Sequence, residues 1–262
     1  MRTALARHWP EYLMEAAGLG LFMVSACAFA ILFFHPGSPA ASLLPGGPLL
    51  HRALMGVAMA LTACGLIYSP WGKRSGAHFN PAVTLTFLRL GKVAAWDAVF
   101  YVVAQSVGGV SGMLLVSAMA HGLVADPSVH YVVTVPGAFG VVVAFIAETA
   151  IAFVLMSVVL LVSNTASLAR FTGLCAGMLV ATYITLEAPL SGMSMNPART
   201  FASALPANTW QAFWVYLTAP LAGMLLASEV YVRGTRRRVI CAKLQHGGQQ
   251  RCIFRCGYMR AS

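Results

Sequence analysis

The chain has 262 residues, of which 59% are hydrophobic and 9% charged. A soluble domain carries roughly a quarter charged residues, so most of this surface is expected to meet lipid. The formal charge of +10 comes without interleaved aromatic and basic residues, which sets nucleic-acid binding aside. Short alternating segments, the mark of a membrane strand barrel, are missing too. Helices remain, because a bilayer core of roughly 30 Å needs about 20 apolar residues per span and offers no water to unpaired backbone groups.

In chain order the spans are expected at 12–34, 51–69, 95–119, 139–163, 170–188 and 209–232, each bounded by Pro, Gly or charged residues. The run 13–34 is too long for a signal-peptide core and no small-residue cleavage pattern follows it, so it is read as a helix that is retained. The separators are 35–50, rich in Pro, Gly and Ser, a loop at 70–75, the stretch 121–138 and the region around Pro189. Two apolar pieces, 81–90 and 197–205, are too short to cross. The chain divides into an N-terminal segment (1–11), a first repeat (12–120), a connecting loop (121–138), a second repeat (139–232) and a basic tail (233–262).

Lys and Arg set the orientation. Arg2, Arg7, Lys73, Arg74, Arg89, Lys92, Arg170 and the cluster Arg233, Arg236, Arg237 and Arg238 fall on alternate loops that share one side of a six-span protein. The other side has Arg52 and little else, apart from Arg199 within a short apolar segment. The positive-inside rule then places both termini in the cytoplasm.

Two segments repeat. Residues 75–84 (Ser-Gly-Ala-His-Phe-Asn-Pro-Ala-Val-Thr) and 191–200 (Ser-Gly-Met-Ser-Met-Asn-Pro-Ala-Arg-Thr) share Ser-Gly-x-x-x-Asn-Pro-Ala-x-Thr, and each half opens with an acid inside an apolar helix, Glu15 and Glu148. Three spans separate equivalent positions, so the second copy enters from the opposite face, as in inverted-topology repeats that build a site near the midplane. Asn is a preferred N-cap and Pro is favoured at the first helical position, so Asn80-Pro81 and Asn196-Pro197 each start a helix. At 1.5 Å per residue these helices are roughly 13–15 Å long, half a bilayer each, and their positive dipole ends and Asn amides meet at the middle.

On these motifs the chain resembles the aquaporin and glycerol-facilitator family, the major intrinsic proteins, over roughly residues 10–232. The resemblance implies an all-α membrane protein of six transmembrane helices plus two re-entrant half-helices in an inverted repeat. It implies a pore centre formed by Asn80, Pro81, Ala82, Asn196, Pro197 and Ala198, and a homotetramer in which each chain has its own pore. Water or another small neutral solute would accept hydrogen bonds from the two Asn amides, while cations would meet the positive half-helix ends, as in aquaporin-type pores generally. No nucleotide loop or catalytic constellation appears, so no enzyme is expected and permeation needs no cofactor.

Arg199 directly follows the second motif, and an intramembrane Arg usually faces a cavity. It matches the arginine of the family's aromatic/arginine constriction, whose other positions carry over by spacing to Met59, Ile184 and Met193. That set differs from the family's water pattern (Phe and His beside Arg) and from its glycerol pattern (Trp, Gly and Phe). Thr200 after the arginine and Phe213-Trp214 in the last helix match the water type, so water is expected, with a glycerol- or urea-type facilitator as the alternative. A structural membrane protein is disfavoured by the intact Asn80, Asn196 and Arg199, and a secondary transporter by the neutral amides at the midplane. The resemblance suggests a bacterial inner membrane.

Glu15 and Glu148 could relay protons, but the resemblance implies that they hold loop backbone near the half-helices. His78 is either a pH gate or a packed, hydrogen-bonded residue, the latter preferred. Cys27, Cys64 and Cys175 lie in expected helices as small core residues. Cys241, His246, Cys252 and Cys256 offer three thiols and an imidazole within sixteen residues, enough for tetrahedral zinc, although the spacing is not a standard finger and an unstructured basic tail is the competing reading.

Overall fold

The structure is a computed structural model, and it describes residues 1–43, 46–120, 122–235, 238–246 and 251–258. Of the residues singled out above, Arg236 and Arg237, and His121 at the start of the connecting loop, lie outside the described ones. The principal helices are α1 (Arg2–Phe34), α2 (Pro48–Tyr68), α3 (Pro81–Arg89), α4 (Ala95–Met119), α5 (Gly140–Ser163), α6 (Thr172–Leu186), α7 (Pro197–Ala207) and α8 (Phe213–Thr235). Six are long and apolar enough to cross a membrane once α6 is counted with the 3-10 turn before it (Ala169–Leu186). The other two, α3 and α7, are the half-helices.

Several boundaries move. Helix α1 begins at Arg2, ten residues before the expected start, and runs through Pro10. The extension is tied to the body of the protein: His8 Nδ1 and Tyr12 Oη meet Asp97 Oδ1 at 2.8 and 2.6 Å, and Arg74 pairs with buried Glu11 at 3.0 Å. The expected 70–75 loop is a short helix, Pro70–Ser75, whose N-cap Ser69 accepts from the Gly72 amide at 3.0 Å. At the far end α8 starts at Phe213, not 209. Left-handed Asn208 (φ 48°) ends α7, and its side chain accepts from Trp210 Nε1 at 3.1 Å, holding the intervening residues in a turn.

Both half-helices start as their sequence dictates. Asn80 and Asn196 are extended (φ −156° and −144°), their side chains accept from the amides of Ala82 and of Ala198 and Arg199, and a proline follows each. Within the halves α1 packs on α4 and α5 on α8, and α2 meets α6 across them. The half-helices cross over: α3 lies against α8 of the second half and α7 against α4 of the first.

Close helix approach depends on glycine. A Cβ at Gly108 of α4 would run into the Ala16 carbonyl of α1, and one at Gly223 of α8 into the Thr149 carbonyl of α5, the same contact in each half. The outer faces expose large apolar side chains such as Leu21, Leu61, Leu114, Val142, Ile146 and Leu226, a surface made for acyl chains.

Candidate functional site

Each half builds its loop around one buried carboxylate. Glu15 accepts from Ser75 Oγ (2.7 Å), the amides of His78 (3.1 Å) and Phe79 (2.6 Å), and Gln105 Nε2 (2.8 Å). Glu148 accepts from Ser191 Oγ (2.9 Å) and the amides of Ser194 (2.6 Å) and Met195 (2.7 Å). A tyrosine closes each loop: Tyr101 donates to the Ser75 carbonyl and Tyr216 to that of Ser191. Carboxylates that take several backbone donors organise the chain around them. Neither acid lines the cavity described below, which is how a loop-holding group is placed.

The carboxylates hold an unfavourable backbone in place. Gly76, Ala77 and Phe79 have φ of 101°, 57° and 46°; Gly192, Met193 and Met195, their counterparts, have 83°, 52° and 53°. Left-handed geometry at four non-glycine residues costs of order 1–3 kcal/mol each and persists only where surroundings over-determine it. The result is a pair of loops that deliver their asparagines to a common centre. Asn80 Nδ2 donates to the Met195 carbonyl at 2.7 Å and Asn196 Nδ2 to the Phe79 carbonyl at 2.7 Å. Pro81 and Ala82, and Pro197 and Ala198, form the first turns behind them.

A cavity of about 410 Å³ runs along this centre. Asn80, Asn196, Arg199, Met59, Ile184 and Met193 all line it, as does His78. Ile184 packs in the same apolar cluster as Met59 and in another with Met193, so the three carried-over constriction residues are neighbours. Arg199 Nη1 is buried without a hydrogen-bond partner among the described residues. Thr200 is buried against Ser194 and Thr134, and Trp214 is 55% exposed on the outer face; neither is among the residues that line the cavity.

His78 is packed and hydrogen-bonded. It lies between the rings of Phe87 and Phe254, at centroid distances of 5.2 and 5.4 Å, with Nδ1 on Thr84 Oγ1 (3.0 Å) and Nε2 on the Ala242 carbonyl (2.8 Å). Two of these partners belong to the tail, which is ordered over its described residues and docked at the basic end of the bundle. The tail brings Cys241, His246, Cys252 and Cys256 together with their ligand atoms within 4.8 Å of one another. The hydrogen bond that Cys241 and Cys252 share at 3.5 Å raises the Cys241 thiol and lowers that of Cys252, so the pair sheds a first proton more easily than a lone thiol. Cys27 and Cys64 are helix-packed thiols bonded to Met113 Sδ and the Gly173 carbonyl, and all six cysteines are free.

Sequence reasoning missed Gln105, Tyr101 and Tyr216, and it read Arg52 only as an orientation charge, whereas its Nε donates to the Thr185 carbonyl (3.1 Å) at the cavity wall. The repeat register carried a signal for the tyrosines, which follow Ser75 and Ser191 at nearly equal distances.

Six spans around two opposed half-helices, joined at a polar centre inside a continuous cavity, define a multi-pass membrane channel. The chain belongs to the major intrinsic protein family, whose pattern matches residues 3–231; its members are passive channels for water and small neutral solutes, not enzymes. The chain is 40% identical over 162 residues to Aquaporin NIP6-1 of Arabidopsis thaliana, a match covering 61% of this chain and about half (51%) of that relative. It is 32% identical over 226 residues to the probable aquaporin AqpM of Archaeoglobus fulgidus, covering 78% of this chain and 91% of that one. Its fold is like that of the aquaglyceroporin from Plasmodium falciparum, with a TM-score of 0.70 at 21% identity, covering 86% and 95% of the two chains.

Proposed function

We propose that this chain conducts water preferentially, with the Asn80 and Asn196 amides as the central binding point and Arg199, Met193, Ile184 and Met59 as the selective constriction. The observation that carries this is the reciprocal tie of the asparagines. Each Nδ2 donates once to the opposite loop, which leaves its second N–H for a passing oxygen. Arg199 Nη1, without a hydrogen-bond partner among the described residues, is the next donor along the path. A small oxygen-bearing solute can be handed between these donors, while the apolar Met and Ile walls give a polyol few further partners. Cations meet two helix N-termini and a guanidinium. Among the described residues no acid pair lines the cavity, which favours equilibration over coupled transport.

Charge supports a cytoplasmic location for both termini: contacts gather Arg7, Lys73, Lys92, Arg251 and Arg255 at one end of the bundle. A homotetramer and a bacterial inner membrane are proposed on resemblance alone, the relatives named above being from a plant and an archaeon. In the tail, Cys241, His246, Cys252 and Cys256 are the donor set for a tetrahedral thiophilic ion, with zinc the natural choice.

Stopped-flow light scattering on proteoliposomes tests the water assignment. With metal first removed by a chelator, fast osmotic shrinkage with slow glycerol and urea entry is expected, and Arg199→Val should raise glycerol and urea entry about tenfold, the effect of removing a barrier of about 1.4 kcal/mol. Rapid glycerol or urea entry through the unaltered protein, with slow water, would assign the alternative facilitator.

A further inference from the structure

We propose that the carboxy-terminal tail is a metal-locked plug: a zinc ion held by Cys241, His246, Cys252 and Cys256 fixes the tail in the cytoplasmic mouth and closes the pore. This rests on the reading of the cavity as the conduction path.

The donor set fits the ion. Corners of a tetrahedron with metal–sulfur bonds of about 2.3 Å lie about 3.8 Å apart. The tail already holds Cys241 Sγ 3.5 Å from Cys252 Sγ and Cys256 Sγ 3.2 Å from His246 Nε2, with all four ligand atoms inside 4.8 Å. None of these residues lies in a regular helix or strand, so no secondary structure explains why three thiols and an imidazole should converge. A structural metal does, because its binding free energy can fold a segment that lacks a core of its own. Charge agrees. Lys243 is buried (2% exposed), its Nζ donates to the carbonyls of Lys73 and Arg251, and it forms no ion pair among the described residues. Zinc with three thiolates and a neutral imidazole carries one net negative charge beside it.

The residues between the ligands meet the loop that carries Asn80, and one of them, Leu244, lines the pore cavity itself. Cys241 and His246 bracket Ala242, whose carbonyl accepts from His78, and Leu244, whose amide donates to the Gly76 carbonyl at 3.1 Å and whose side chain lines the pore cavity. Cys252 and Cys256 bracket Phe254, which stacks on His78 and sits where a Cβ on Gly76 would meet it at 2.8 Å. His78 and Gly76 belong to the loop that carries Asn80. The ion therefore clamps two short segments, one that puts Leu244 in the cavity and one that packs Phe254 on the loop carrying Asn80, and its loss frees both.

Full-length protein, purified without chelator and analysed by mass spectrometry for metals, should hold about one zinc per chain, and Cys252→Ser/Cys256→Ser about none. In proteoliposomes, stripping zinc with a chelator should raise water permeability about tenfold and added zinc should reverse it, as expected if the bound form is closed roughly nine-tenths of the time. Leu244→Ala keeps all four ligands; it should retain zinc and conduct with or without it. A protein that binds no zinc, or one that binds it and conducts equally when loaded and stripped, overturns the plug. Failure of the pore reading looks different: loaded, stripped and Leu244→Ala proteins would all pass no more water than empty liposomes.

Discussion

Gln105 donates to Glu15 across α4 and α1 at 2.8 Å, and among the described residues this bond has no counterpart in the second half. Tyr101 and Tyr216 set the register between the halves, and four residues beyond Tyr216 the chain has Pro220, which has no side-chain donor. Glu15 thus takes four donors and Glu148 three among the described residues. Replacing Gln105 with Leu should cost about 1–3 kcal/mol, since a fully buried carboxylate loses a charge-assisted partner. Thermal melts in detergent read this as a lowered Tm. An unchanged melt would mean that the remaining three donors suffice, as they do for Glu148.

Asn196→Asp should damage the centre more than its size suggests. The new carboxylate oxygen would face the Phe79 carbonyl where an N–H now donates at 2.7 Å. Oxygen against oxygen, with a charge buried at mid-membrane, costs about 3 kcal/mol or more. Water permeability should fall and proton leak should rise, because a negative charge offsets the positive half-helix ends. A pH-sensitive dye trapped in the liposomes measures the leak, and Asn80→Asp should behave alike because its partner is the Met195 carbonyl at 2.7 Å.

Two glycines of similar appearance in the sequence should respond in opposite ways. Gly223→Leu drives a side chain into the Thr149 carbonyl and should separate α5 from α8, a loss of at least about 3 kcal/mol seen as little folded protein on size-exclusion chromatography. Gly65 is exposed on α2 and an added Cβ meets nothing within 4 Å. Gly65→Ala should therefore raise stability by about 0.4–1 kcal/mol by restricting the unfolded chain.

Asp126, in the loop between α4 and α5, is held below the usual carboxylate range by the Ser128 hydroxyl (2.6 Å) and then by its amide (2.9 Å). A depressed folded-state value stabilises the loop above the unfolded value and loses that stabilisation as pH falls through the folded one. The turn should thus be unaffected between pH 5 and 8 and loosen only below about pH 4. Hydrogen exchange at the Ser128 amide, expressed as protection relative to the intrinsic rate at each pH, reports it; protection already lost at pH 6 would contradict the assignment.

The spans, the half-helices and the two Asn-Pro starts were legible because each rests on local chemistry: apolar length, N-capping and the missing proline N–H. Arg199 was legible for a related reason, since a charge in an apolar segment has few places to go. The loop at 70–75 was misread because Pro70, Trp71 and Gly72 look like a turn, whereas Ser69 caps them into a helix. The start of α1 was misread because Pro10 looks like a boundary; contacts from distant Asp97 and Arg74 decide it. Gln105 and the docking of Ala242, Leu244 and Phe254 on the first loop depend on partners far away in sequence, and periodicity holds no trace of them. The ligand set in the tail was visible as a composition, but its convergence was not.

The crossing of the half-helices bears on how the protein is made. During synthesis α3 emerges well before α8, the helix it packs against, and the Asn80 amide waits for a carbonyl on Met195 that does not yet exist. The first repeat cannot finish its own re-entrant loop. Until the last span is inserted, the nascent chain holds a short polar-tipped helix without its final berth, and the centre of the membrane domain forms only as translation ends.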